Sequence, residues 1–189
     1  MARIRSLRST LTQDAAVEEF SRGVFNATRL LIFGPLRCVA DFYIPFQLFN
    51  VEICNRGKLE HRVFGLDAVN GSLDLYHFEQ LPGASEIVCV ETRNYVTASL
   101  DERQAREFLL GKVRRLVLST GFYRVRDLSI SPTPIPGEIY VPYWVGFRGR
   151  GISARFAVLN AVRRKPEGAK VRHLLQNWLT STTEIRSDL

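Results

Sequence analysis

Aromatic and basic side chains crowd one stretch of this 189-residue chain, where Tyr140, Tyr143, Trp144, Phe147, Arg148, Arg150, Arg155 and Phe156 follow one another closely. Aromatic rings can stack on nucleobases while guanidinium groups hold phosphates, the combination that single-strand binders use. In an extended strand, Tyr143, Val145 and Phe147 point to one side and Trp144 and Gly146 to the other, so one set belongs to a core. A second basic group, Arg163-Arg164-Lys165, precedes Pro166-Glu167-Gly168 in a turn. Three like charges there suit either a solvated loop or phosphate contacts. Arg103 and Arg106 stand on the polar side of a helical pattern and extend the same chemistry.

Residues for acid–base or metal chemistry are sparse. His61, His77 and His173 are the only histidines. His61 and His77 fall on neighbouring expected strands, but no spacing demands a zinc site, so neither metal nor cofactor is expected. Asp67 is the best single catalytic carboxylate. It also stands before Asn70-Gly71, where an aspartate accepts backbone N–H bonds and fixes a turn. No Gly-x-Ser-x-Gly, phosphate-binding loop or dinucleotide fingerprint occurs. The three cysteines, Cys38, Cys54 and Cys89, sit in apolar runs and read as small buried hydrophobes.

The elements that must position these residues come in a repeated order. Glu19-Phe20-x-x-Gly23 returns 88 residues later as Glu107-Phe108-x-x-Gly111. Asp41-Phe42-Tyr43-Ile44-Pro45-Phe46 returns as Glu138-Ile139-Tyr140-Val141-Pro142-Tyr143, and Arg62-x-x-x-Leu66-Asp67-Ala68-Val69 as Arg155-x-x-x-Leu159-Asn160-Ala161-Val162. The expected fold is α+β: an internally duplicated unit of one helix followed by an antiparallel β-meander, with helices packed on one face of the sheet. Residues 1–98 would form the first repeat, with a basic N-terminal arm, and residues 99–189 the second, the two sharing one compact domain. The opposite face of the sheet is expected to be open to a partner.

Apolar periodicity predicts a helix over residues 12–33 and a second from Ser99, with Ser99 and Glu102 as a capping box, to Gly121. Strands are expected over residues 38–53, 59–68, 73–80 and 86–95, then 122–130, 138–148 and 152–162. Asn70-Gly71 suits a tight hairpin turn with two positive-φ residues. The proline-rich run Ser131 to Gly137 reads as an irregular loop. Residues 170–180 carry helical spacing in Val171, Leu174, Leu175, Trp178 and Leu179, although analogy with the first repeat suggests a strand.

Charge separates the halves. Residues 1–98 hold ten Lys/Arg and eleven Asp/Glu, and residues 99–189 hold sixteen and eight, so the net charge of +7 lies in the second half. No apolar run is long enough for a membrane span, and no apolar signal core follows the basic N-terminus, so a cytoplasmic location is expected.

The phrase Tyr43-Ile44-Pro45-Phe46, then a hairpin, then Leu66-Asp67-Ala68-Val69-Asn70-Gly71, resembles the PepSY-like pattern of a strand pair leading into an Asp-Ala-x-Thr-Gly turn. That resemblance implies a cystatin-like α+β fold and a non-catalytic inhibitory or regulatory role, commonly outside the cytoplasm. Three readings of function result. The first is a non-catalytic binding or regulatory module that holds a macromolecular partner, a protein or an anionic polymer, through an exposed sheet face or the basic aromatic hairpin. The second is a nucleic-acid-binding protein acting through its basic half. The third is a small hydrolase or lyase around Asp67 and the histidines. The charge split also suggests salt-sensitive association between copies.

Overall fold

In the computed structural model, residues 1–21, 34–119, 125–149 and 155–187 are described, with side chains of the last helix described as far as residue 180. The elements are β1 (Ala2–Leu7), α1 (Gln13–Ser21), β2 (Leu36–Asn55), β3 (Lys58–Asp67), β4 (Tyr76–Phe78), β5 (Ile87–Thr92), α2 (Glu102–Ser119), β6 (Ser129–Arg148), β7 (Arg155–Asn160), β8 (Lys165–Pro166) and α3 (Ala169–Ser187). The chain is therefore α+β. Strands are hydrogen-bonded in the order β4-β3-β2-β6-β1-β5, with β7 pairing β6 and β8 pairing β7.

Two compact units take segments from both halves of the sequence. The first contains Met1–Ser6, Ile44–Thr92 and Thr97–Tyr140, and the second Leu7–Tyr43, Arg93–Val96 and Val141–Leu189. The long strands β2 and β6 each contribute to both.

In the first unit, β2 and β3 form a hairpin in which Phe46 faces Asp67, Phe49 faces Phe64, and Asn55 faces Lys58. Alternation puts Phe49, Val51, Ile53, Phe64 and Leu66 on one face, and Ala105, Leu109 and Val113 of α2 cover them. The helix is capped by Asp101 and Gln104. The Gln104 N–H donates to the Asp101 carboxylate at 2.7 Å, and the Asp101 N–H donates to the Gln104 amide oxygen at 3.2 Å. Ser99, expected as the cap, is used differently: its hydroxyl donates to the Val69 carbonyl at 2.8 Å and its N–H to the Ala68 carbonyl. The box slips by two residues because Ser99 is already committed to the turn after β3.

The tight two-residue turn is Arg56-Gly57, with φ of 54° and 72°. Asn70-Gly71 is not such a turn, since only Gly71 has positive φ there. The Asp67 carboxylate organises it instead. Residues 131–137 are also not a loop but part of β6. Pro132, Pro134 and Pro136 alternate, so their missing N–H groups all fall on one edge of the strand and the other edge keeps its donors.

In the second unit, β6 and β7 pair so that Tyr143 faces Asn160, Trp144 faces Leu159, and Gly146 faces Ala157. The α1 helix begins after Thr12, whose hydroxyl accepts the Ala15 N–H at 3.3 Å. Its fully buried Ala16, with Leu11 and Leu159, forms a small core against which Phe20 and Trp144 pack. Thr10 and Leu11 donate their N–H groups to the Ala161 carbonyl, and the Thr10 hydroxyl donates to the Val162 carbonyl at 2.9 Å. Residues 169–187 are helical, as the apolar spacing indicates, with Val171, Leu174 and Leu175 buried.

Two expectations fail on burial. Phe20 is packed inside, whereas Phe108 is 46% exposed, although the sequence comparison equates them. A one-residue slip turns a helical side chain by about 100°, and the residue of α2 that occupies the inner position is Leu109. Cys38 and Cys89 are exposed and Cys54 is half-buried. The expected ends of the first two helices, at residues 22–33 and 120–121, lie outside the described residues.

Candidate functional site

The aromatic hairpin is part of the core on both its faces. Tyr143 and Val145 are 2% and 1% exposed, and Trp144 donates its indole N–H to the Leu11 carbonyl at 2.9 Å. Phe147 is half-buried, with its ring centroid 6.0 Å from that of Phe156. A Cβ on Gly146 would stand 2.9 Å from the Phe20 ring, so α1 lies directly on this strand. Among the described residues, the aromatic side chains of the second hairpin form no fully open face.

Arg148, placed among the binding residues from sequence, is buried. Its guanidinium donates to the Phe20 carbonyl at 2.8 Å and the Gly34 carbonyl at 3.2 Å. A buried guanidinium has to be hydrogen-bonded, and this one serves the chain on either side of residues 22–33. Arg150 lies outside the described residues. Arg155, paired with Arg148 in register, is exposed.

The turn after β7 keeps its exposure. Asn160 organises it: its side-chain oxygen accepts the Val162 and Arg163 N–H groups at 3.1 and 2.9 Å, and its amide donates to the Glu167 carboxylate at 3.0 Å. Arg164 takes φ of 55° and directs its guanidinium to the carbonyl and hydroxyl of Thr10. That contact brings the segment holding Arg8 against the turn. Arg163, Arg164 and Lys165 are all exposed, and so are Lys170 and Arg172 on the first turn of α3. The only acidic residue among residues 162–173 is Glu167, held by Asn160. Lys170 and Arg172 escaped the sequence reading, yet the helical spacing of Val171, Leu174 and Leu175 turns positions 170 and 172 outward.

Counted by compact unit, the charge separates fully. The first unit has twelve Lys/Arg and twelve Asp/Glu, whereas the second has fourteen and seven. The whole net charge of +7 belongs to the second unit. Arg103 and Arg106, on the exposed side of α2, belong to the balanced first unit, where Arg103 pairs with Glu107 at 3.3 Å.

The arrangement does not assemble the acid–base site. Asp67 is fully buried, and its carboxylate accepts N–H bonds from Asn70, Gly71 and Leu73 at 3.0, 3.0 and 2.8 Å. His77 lies opposite Phe64, whereas His61 lies opposite Glu52, which puts the two rings on opposite faces of the strands. His173 is on α3 in the second unit. Among the described residues, no group of three or more His, Cys, Asp or Glu could hold a metal.

Two cavities of the first unit add no reactive set. A groove of about 580 Å³ is lined by Gln47, Ala68, Leu100, Glu102 and residues 134–138. A smaller one of about 180 Å³ includes Lys58, Glu60 and Arg62. Bonds from Arg62 and then Lys58 hold the Glu60 carboxyl below the usual carboxylate range, so it stays ionised.

No described helix is long and apolar enough to cross a membrane. No family model, curated protein or solved structure matches the chain.

Proposed function

We propose that this protein is a non-catalytic binding module that holds an anionic macromolecule through the exposed basic residues of its second unit. The observation that carries the reading is the partition of charge. A net of +7 is confined to one compact unit, and five exposed cations of that unit fall between residues 163 and 172. A one-signed patch of this kind raises the local concentration of a polyanion and gives affinity that depends on salt.

An internally duplicated, PepSY-like scaffold is part of the same proposal. Support comes from bonds that recur between the units. Ala68 donates to Pro45 as Ala161 donates to Pro142, and Ser99 and Leu100 donate to Ala68 as Thr10 and Leu11 donate to Ala161. Fully buried Ala105 and Ala16 occupy the same helical position relative to those bonds, an offset of 89 residues rather than 88. On this account the sheet of each repeat is covered by the helix of the other, and the copies diverge in surface charge, aromatic content and the segments that flank the shared hairpins.

The test is binding at low salt to a panel of polyanions, inorganic polyphosphate, heparin and duplex DNA, measured by titration calorimetry. Binding of at least one, weakening as salt rises, is the expected result. Failure to bind any of the three at low salt would remove the reading.

A further inference from the structure

Building on the polyanion reading, we infer that the partner is a nucleic-acid duplex, gripped by its phosphates and not by its bases. The fold leaves the basic segment exposed while it buries or half-buries the described aromatic residues around it. Base stacking needs an exposed ring face. Tyr143 is buried, the Trp144 indole is bonded to Leu11, and the Trp178 ring meets Phe42 edge-on at a centroid distance of 4.8 Å. Residues 162–173 contain no Phe, Tyr or Trp at all.

What stays outside is a set of point charges: Arg8, Arg163, Arg164, Lys165, Lys170 and Arg172 are all exposed. The Arg164–Thr10 contact draws the segment of Arg8 to the others. Exposed cations in a segment that contains no Phe, Tyr or Trp favour the polymer with the highest charge density, and a duplex carries one charge per about 1.7 Å of its axis. An anionic bilayer is the competing partner, but stable surface binding to lipid is strengthened by apolar side chains that insert. Among the second unit's residues whose side chains are described, Val17 on α1 is the one exposed large hydrophobic, and it is not in the basic segment.

The experiment compares a mixed-sequence duplex, its two separated strands, an oligo-dT, and vesicles of phosphatidylcholine with phosphatidylserine, by fluorescence anisotropy and sedimentation. The duplex is expected to bind at least about tenfold tighter than either strand, with no preference between unrelated sequences. Its affinity should fall by about 150- to 500-fold between about 50 and about 200 mM salt, as four or five phosphate contacts require. The double variant Lys165→Glu, Arg172→Glu should weaken duplex binding, and Phe147→Leu should not.

Strands bound as tightly as the duplex, or a strong sequence preference, would overturn the inference. Binding to vesicles, polyphosphate or heparin without duplex binding would overturn it too and leave the polyanion reading standing. Silence from every polyanion at low salt would remove both.

Discussion

Asp67 and Asn160 stand at the same point of their hairpins, each ahead of a turn, yet one is a carboxylate and the other an amide. The third bond decides which. Asp67 faces three donors, the N–H groups of Asn70, Gly71 and Leu73. Asn160 faces two donors and one acceptor, the Glu167 carboxylate. Replacing Asp67 by alanine should therefore cost at least about 3 kcal/mol, since buried donors lose their acceptor. Asp67→Asn should cost about half of that, because its amide nitrogen would meet the Leu73 N–H. Urea denaturation of both variants checks the order, and an alanine variant no less stable than the asparagine one would contradict it.

Tyr43 gives the second test at this scale. Burial, then the charge of Asp41 and its hydrogen bond, push the phenol above its usual value of 10.0. A raised folded pKa means that the unfolded chain ionises first. Stability from this group is complete below about pH 10 and is lost as pH rises toward the folded value. Denaturation at about pH 9 and about pH 11 should show the loss in the native sequence and less of it in Tyr43→Phe. Equal losses in both would contradict the account.

Among the elements, helix α1 is held onto β6 by the contact of Phe20 with Gly146. A methyl group at 146 would stand 2.9 to 3.0 Å from three ring carbons. Gly146→Ala should cost about 1–3 kcal/mol by overpacking, and Phe20→Leu in the same chain should restore part of it. Additive losses in the double variant, measured by thermal unfolding, would mean that the two positions do not touch.

The same scale shows what the residues announced. The strands at 36–55, 58–67 and 155–160 and the helix at 169–187 followed from spacing that burial imposes, such as Val171, Leu174 and Leu175 on one stripe, whereas β1 lies where a basic N-terminal arm is expected. The register of α1 against α2 did not, because Phe20 and Phe108 look alike in sequence and only packing reveals that Leu109 takes the inner position. The alternating prolines of β6 suggest an irregular loop, since nothing local tells that a single edge receives all three missing donors.

At the scale of the molecule, the basic excess was legible from composition, but its carrier was not. A division at residue 98 gives an excess of eight positive charges to the second half, including Arg103 and Arg106. The compact units redistribute those charges, because each takes segments from both sides of that division. Trp144 and Arg148 were singled out as partner-binding residues and are committed to Leu11, Phe20 and Gly34. Sequence proximity placed aromatics beside cations, whereas folding turned the aromatics and Arg148 inward and left Arg155, Arg163, Arg164 and Lys165 exposed.

The central claim is that the exposed cations of the second unit carry binding. The most direct measurement is the salt dependence of polyanion affinity in two charge-reversed proteins, one with Arg163→Glu, Lys165→Glu and Arg172→Glu, the other with Arg103→Glu and Arg106→Glu on α2. The account predicts that the first loses most of its affinity and that its slope of log K against log salt flattens by about 2–3, while the second keeps a slope within about 1 of the native value. A flattened slope in the α2 variant with an unchanged slope in the other would contradict it.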